Sequence, residues 1–180
     1  VMNTDFVVGI TDQATNNLNM MFNTEIGQQY LSRKKGFEID FIKRLPEFGF
    51  SAIANILASI KLAKYMKLGK DDAIVTVATD GADLYLSELN KTKAEFRGVY
   101  DETACGEIFG QYLKGISTDN TLELNQKDKE RIFNLGYYTW VEQQGISTND
   151  FEKRRNQNFW NEHYRYMLSL DDRINDFNSI

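Results

Sequence analysis

Cysteine, histidine and proline are almost missing from this chain, which has one of each: Cys105, His163 and Pro46. A single cysteine rules out an internal disulfide and points to a reducing compartment. One cysteine and one histidine leave no ligand set for a Cys/His zinc site. One histidine also leaves little room for a Ser-His-Asp triad, and His163 reads as a surface or packing residue. No stretch approaches the roughly 18 apolar residues of a membrane span, so no membrane partner is expected. The opening VMNTDFVVGI lacks the basic n-region of a signal peptide. Positive charge is not in excess either. The net charge of −5 argues against a nucleic-acid partner held by phosphate contacts. There is no Walker loop, no G-x-G-x-x-G after a strand and no G-x-S-x-G elbow. Internal repeats and low-complexity linkers are absent too.

What is present is enough apolar and aromatic sequence, over 180 residues, to build a real core. Residues 49–85, GFSAIANILASIKLAKYMKLGKDDAIVTVATDGADLY, organise the rest. Gly49 allows a sharp turn, and Ser51 is read as the N-cap of a helix. Ile53, Ile56, Leu57, Ile60 and Ala63 form its apolar stripe. Gly69 is read as its exit. Residues 73–78 are a β-branched run expected to be a buried strand. Thr79-Asp80-Gly81 follows at its carboxyl end, where ligands bind in open α/β sheets.

Residues 5–10 are expected to be a first buried strand parallel to the later one. Thr11-Asp12 would then share a polar edge with Thr79-Asp80, or else cap the next helix. Residues 13–32 read as one helix with its methionines as core filler, ended by Arg33-Lys34-Lys35-Gly36. Residues 37–45 form a short amphipathic piece closed by Pro46. Helices are expected at 86–96, 101–113 and 126–135, with a polar loop at 117–125. The tail from 150 onward has aromatic anchors at Phe151, Phe159, Trp160, Tyr164 and Met167, suited to packing on the body or on a second subunit. The fold class expected is therefore α/β: a mostly parallel open sheet with flanking helices over residues 1–90, and a helical, aromatic-rich C-terminal extension over 91–180. Val1 is not an initiator residue, and the chain is expected to be part of a longer protein. Asp80 and Asp83 could offer carboxylates to magnesium, although no phosphate cradle accompanies them. Lys61, Lys64 and Lys67 read as solvated charges.

The blocks GFSAIANILASIKLAK, DDAIVTVATDGADLYLSE, ITDQATNNL and NLGYYTWVEQQG, in their order along the chain, resemble a known family. It is the C-terminal part of the cysteine-synthase-like, pyridoxal-phosphate-dependent enzymes of fold type II, the tryptophan synthase β superfamily. The resemblance implies pyridoxal 5'-phosphate as cofactor. It also implies β-elimination or β-replacement on a small amino acid in a cytoplasmic homodimer. Ser51 would meet the pyridine nitrogen of the cofactor, and Thr79, Asp80 and Gly81 would lie beside the ring edge. The lysine that forms the imine and the phosphate loop would come from the N-terminal half of the same enzyme, so these residues alone would be inactive. Where the family has a second serine and then glycine, this chain has Ala52 and Ile53. Its strand-end turn reads TDGAD in place of SGER. Two other readings stand beside this one: a non-catalytic structural or regulatory homologue, and an unrelated magnesium-dependent α/β enzyme that handles phosphate.

Overall fold

A computed structural model describes residues 3–179. The chain forms two compact units, one of residues 8–122 and one of the described residues up to 7 and from 123 onward. The structure is 68% helical, and its one sheet has two antiparallel strands, β1 (Phe6–Val8) and β2 (Thr121–Glu123). This overturns the expected mostly parallel open sheet with flanking helices. The first strand lies where the sequence placed it, although it is only partly buried. Its partner is β2, inside the stretch read as a polar loop, with Gly9 N–H donating to the Asn120 carbonyl at 2.8 Å. Residues 73–78 form no regular secondary structure, join no sheet and stand exposed. β-Branched residues favour an extended backbone, yet a strand in a sheet also needs a paired neighbour.

In the first unit, α1 (Asp12–Phe22) is the centre, packed against α2 (Glu25–Lys35), α4 (Phe50–Met66), α5 (Leu86–Glu95) and α6 (Glu102–Phe109). Thr11 caps α1, accepting from Ala14 N–H at 3.3 Å. Thr11 and Asp12 therefore start a helix and form no shared edge with Thr79. The helix expected over 13–32 breaks at Asn23-Thr24. Thr24 turns its hydroxyl back to the Met20 carbonyl at 2.8 Å and caps α2 through Gly27 N–H. The corner is tight: a β-carbon on Gly27 would lie 2.0 Å from the Met21 carbonyl oxygen. Met20 and Met21 are completely buried beside Leu18, Leu31, Ile53 and Leu57, so the methionines do fill the core. Then come α3 (Ile39–Arg44) and a 3₁₀ turn over Leu45–Glu47 that contains Pro46.

The N-cap of helix α4 lies two residues before the expected one. Gly49 is the N-cap residue, without a side-chain cap, and Ser51 lies inside the first turn. Of the expected stripe, Ile53 and Leu57 are buried, while Ile56, Ile60 and Ala63 are half-buried. The helix ends on Lys67 in the left-handed conformation, ahead of Gly69, with Leu68 N–H returning to the Ala63 carbonyl at 2.9 Å.

The second unit carries α7 (Gln126–Tyr137), a π-helical turn over Tyr138–Gln143, α8 (Thr148–Lys153) and α9 (Gln157–Asn178). Its small core is Phe133 against Phe151, ring centres 4.8 Å apart, with Tyr137 at 6.0 Å from Phe151. The guanidinium of Arg155 lies 4.0 Å from the Phe133 ring centre, and that of Arg154 lies 4.5 Å from Phe151. The arginines thus roof the aromatic pair through cation–π contact. Of the expected anchors, Phe151 is buried, whereas Trp160, Tyr164 and Met167 on α9 are exposed. No helix among the described residues is long and apolar enough to cross a membrane.

Candidate functional site

The start of α4 and the Thr79-Asp80-Gly81 turn are brought together in the first unit. Gly49 donates its backbone N–H to the Asp80 carbonyl at 2.7 Å. A side chain at residue 49 would be impossible without movement, since its β-carbon would sit 2.7 Å from Asp80 Oδ1 and 2.8 Å from the Asp80 carbonyl oxygen. Phe50 and Tyr85 then meet edge to face, ring centres 4.8 Å apart. Sequence separation hides this closure, but Gly49 is the residue that permits it.

Asp80 is held from two sides. Tyr85 donates its hydroxyl to Oδ2 at 2.6 Å, and Thr79 donates to Oδ1 at 2.9 Å. The Tyr85 hydrogen bond, and then that from Thr79, lower the Asp80 carboxyl below its ordinary value, while Tyr85 is raised by the same bond. Asp80 is therefore a fixed anion engaged in holding the turn. With Pro46, Glu47, Thr79, Gly81 and Asp83 it lines a shallow, open recess. Three of those six are acidic, and none is basic.

Ser51 sits one residue past Phe50, on the first turn of α4, and is exposed. Its hydroxyl has no hydrogen-bond partner among the described residues. It does not line the recess itself. A free neutral hydroxyl at a helix N-terminus can donate to a ring nitrogen, and so fits that end of a pyridine cofactor. The acidic recess beside it suits neither a phosphate group nor an imine-forming amine. The donor set therefore fits the ring-nitrogen end of pyridoxal phosphate and no other part of it.

The three lysines expected to be solvated charges are not alike. Lys64 and Lys67 are exposed, but Lys61 is buried. Its ammonium donates to the carbonyls of Asp119 at 2.7 Å and Gly9 at 3.1 Å, and pairs with Asp119 Oδ1 at 3.3 Å. Three protons meet three acceptors, so Lys61 ties loops to α4 and has none left for chemistry. Its position on the stripe of Ile53 and Leu57, four residues further on, was the signal for burial. Ser117 bonds to the Asp119 carboxylate, and this contact, followed by Lys61, lowers that group.

Cys105 is fully buried, and burial pushes its thiol up, which is the opposite of what a nucleophile needs. His163 lies exposed on α9 against Phe159, with Nδ1 2.8 Å from the Phe159 carbonyl. Among the described residues no three His, Cys, Asp or Glu side chains gather as metal ligands, so the Asp80–Asp83 magnesium reading gains no support. An apolar hollow of about 350 Å³, walled by Phe37, Phe41, Phe48, Ile56 and other apolar side chains, has no polar group to orient a substrate. Comparison with protein-family models, with curated proteins and with solved structures finds no match.

Proposed function

We propose that this chain supplies one wall of a pyridoxal 5'-phosphate site in an enzyme for β-elimination or β-replacement on a small amino acid. The unpartnered, exposed hydroxyl of Ser51 on the first turn of α4 carries this reading. When bound, the coenzyme would supply an electron sink for carbanion chemistry. Ser51 would donate to the pyridine nitrogen without forcing its protonation, as a carboxylate would. The Thr79-Asp80-Gly81 turn would stand beside the ring edge, fixed by the Gly49–Asp80 bond and by Tyr85. The imine lysine and the phosphate-binding loop would come from other polypeptide, the N-terminal half of the same enzyme. The assembled enzyme would be a cytoplasmic homodimer.

Ser51→Ala in the assembled enzyme tests this. Alanine suits a helix interior at least as well as serine, so helicity and melting should not fall. Loss of one hydrogen bond, worth about 0.5–1.5 kcal/mol, should weaken coenzyme affinity by about two- to tenfold. Equal coenzyme affinity and equal turnover in the variant would reject the assignment.

A further inference from the structure

Residues 73–78 of the sequence DDAIVTVATD form no regular secondary structure, carry four β-branched side chains in a row (Ile74 to Val77) and are left in solvent. Val75 is 94% exposed and Val77 63%. Of the backbone groups in this run, only the Val77 carbonyl has a partner among the described residues, accepting from Asn55 Nδ2 at 3.0 Å. That bond, with Gly49 N–H on the Asp80 carbonyl, fastens the end of the segment along the first turns of α4. The segment is thus anchored at one end while its donors and acceptors remain open. A β-branched run with open backbone groups has the makings of a strand that an added strand would complete.

Charge selects the occupant. Asp71 and Asp72, with Lys70 before them, flank the run on one side, and Asp80, Asp83 and Glu47 gather at the other, leaving both flanks net negative. If two copies paired antiparallel about Val75 and Thr76, Asp71 would oppose Asp80. If they paired parallel and in register, Asp71, Asp72 and Asp80 would each face themselves. Like charges placed opposite each other destabilise a strand pair. A second copy is therefore a poor partner, and a strand with basic flanks is a good one.

We propose that residues 73–78 form one strand of an intermolecular β-sheet, completed by a β-branched strand of a different polypeptide whose ends are basic. The pairing needs no coenzyme, so it stands or fails separately from the Ser51 assignment. The ladder bonds supply attraction, and the acidic ends select register and partner.

The experiment is hydrogen exchange on the full chain, read at the amides of residues 74–78. The probe is a short synthetic peptide of alternating valine and threonine with lysines at both ends. It should slow exchange at these amides by about tenfold or more. The same peptide with glutamates at its ends should protect far less. A lysine-ended peptide N-methylated at alternate residues, which cannot form the ladder, should not protect at all. Protection by the N-methylated peptide, equal protection by both unmethylated peptides, or none from either at saturation overturns the proposal. Protection that grows with chain concentration when no peptide is present overturns it in favour of a second copy.

Discussion

The Gly49 N–H and the Asp80 carbonyl, 31 positions apart in sequence, meet at 2.7 Å and close the turn onto the start of α4. Gly49→Ala should open this junction, because the new methyl group would lie inside contact distance of Asp80 and of the Tyr85 ring, 2.9 Å away. Overpacking of this kind costs about 1–3 kcal/mol. Urea unfolding monitored by circular dichroism should show the loss, and Gly27→Ala in the same assay provides a comparison at another close approach.

Tyr85→Phe removes the largest influence on Asp80. The folded Asp80 carboxyl titrates below its ordinary value, so its contribution is present above about pH 4 and is lost as pH falls through the folded value. Tyr85 titrates above its ordinary value, so its contribution is present below about pH 10 and is lost as pH rises through the folded value. The variant should therefore lose stability mainly between these limits, and its stability curve should flatten at both ends. Melting temperatures measured across pH check this. An unchanged curve would show that the hydroxyl contributes nothing.

Lys61→Met should destabilise the first unit. Methionine fits the space left by the stem, but the Gly9 and Asp119 carbonyls lose their donor. Both acceptors belong to exposed residues that water can reach, so each lost bond costs about 0.5–1.5 kcal/mol. Amide exchange near residues 9–11 and 117–120 should rise before exchange in α1. In a lysine acylation experiment on the unaltered chain, Lys64 and Lys67 should react well before Lys61.

How much of this was legible from the residues depends on the range of the forces involved. Helix α4 could be read because a 3.6-residue stripe is a local signal, and α5 and α7 because their charged stretches are compatible with a helix. The break at Asn23-Thr24 was missed because Leu18, Met21, Phe22 and Ile26 keep the stripe running across it. The signal was there in a capping threonine followed by acidic Glu25. Residues 73–78 were placed in a buried sheet because β propensity speaks only for the backbone of the segment itself. Whether a neighbour exists to pair with it is decided elsewhere. Thr79, Asp80 and Gly81 were identified as one turn, but its attachment to Gly49 is a tertiary contact. Ser51 was displaced by two positions because glycine and serine both suit an N-cap, and the packing at Asp80 gives that place to Gly49.

Phe151→Ala should unfold the second unit selectively. The ring is 1% exposed and carries both the Phe133 contact and the Arg154 roof. Truncating a buried phenylalanine costs about 3–5 kcal/mol, a large share of what so small a core can supply. Exchange should accelerate throughout α7 and α8 while α1 and α4 keep their protection.

Gly27 acts as a spacer of zero thickness. A β-carbon there would collide with the Met21 carbonyl oxygen, so the α1–α2 elbow has one setting. Because α1 is also the common neighbour of α4, α5 and α6, a methyl group at this hinge would tilt the axle against which the other helices are aligned. Variation at residue 27 should thus be felt at the mouth of α4, far from the atom that was added.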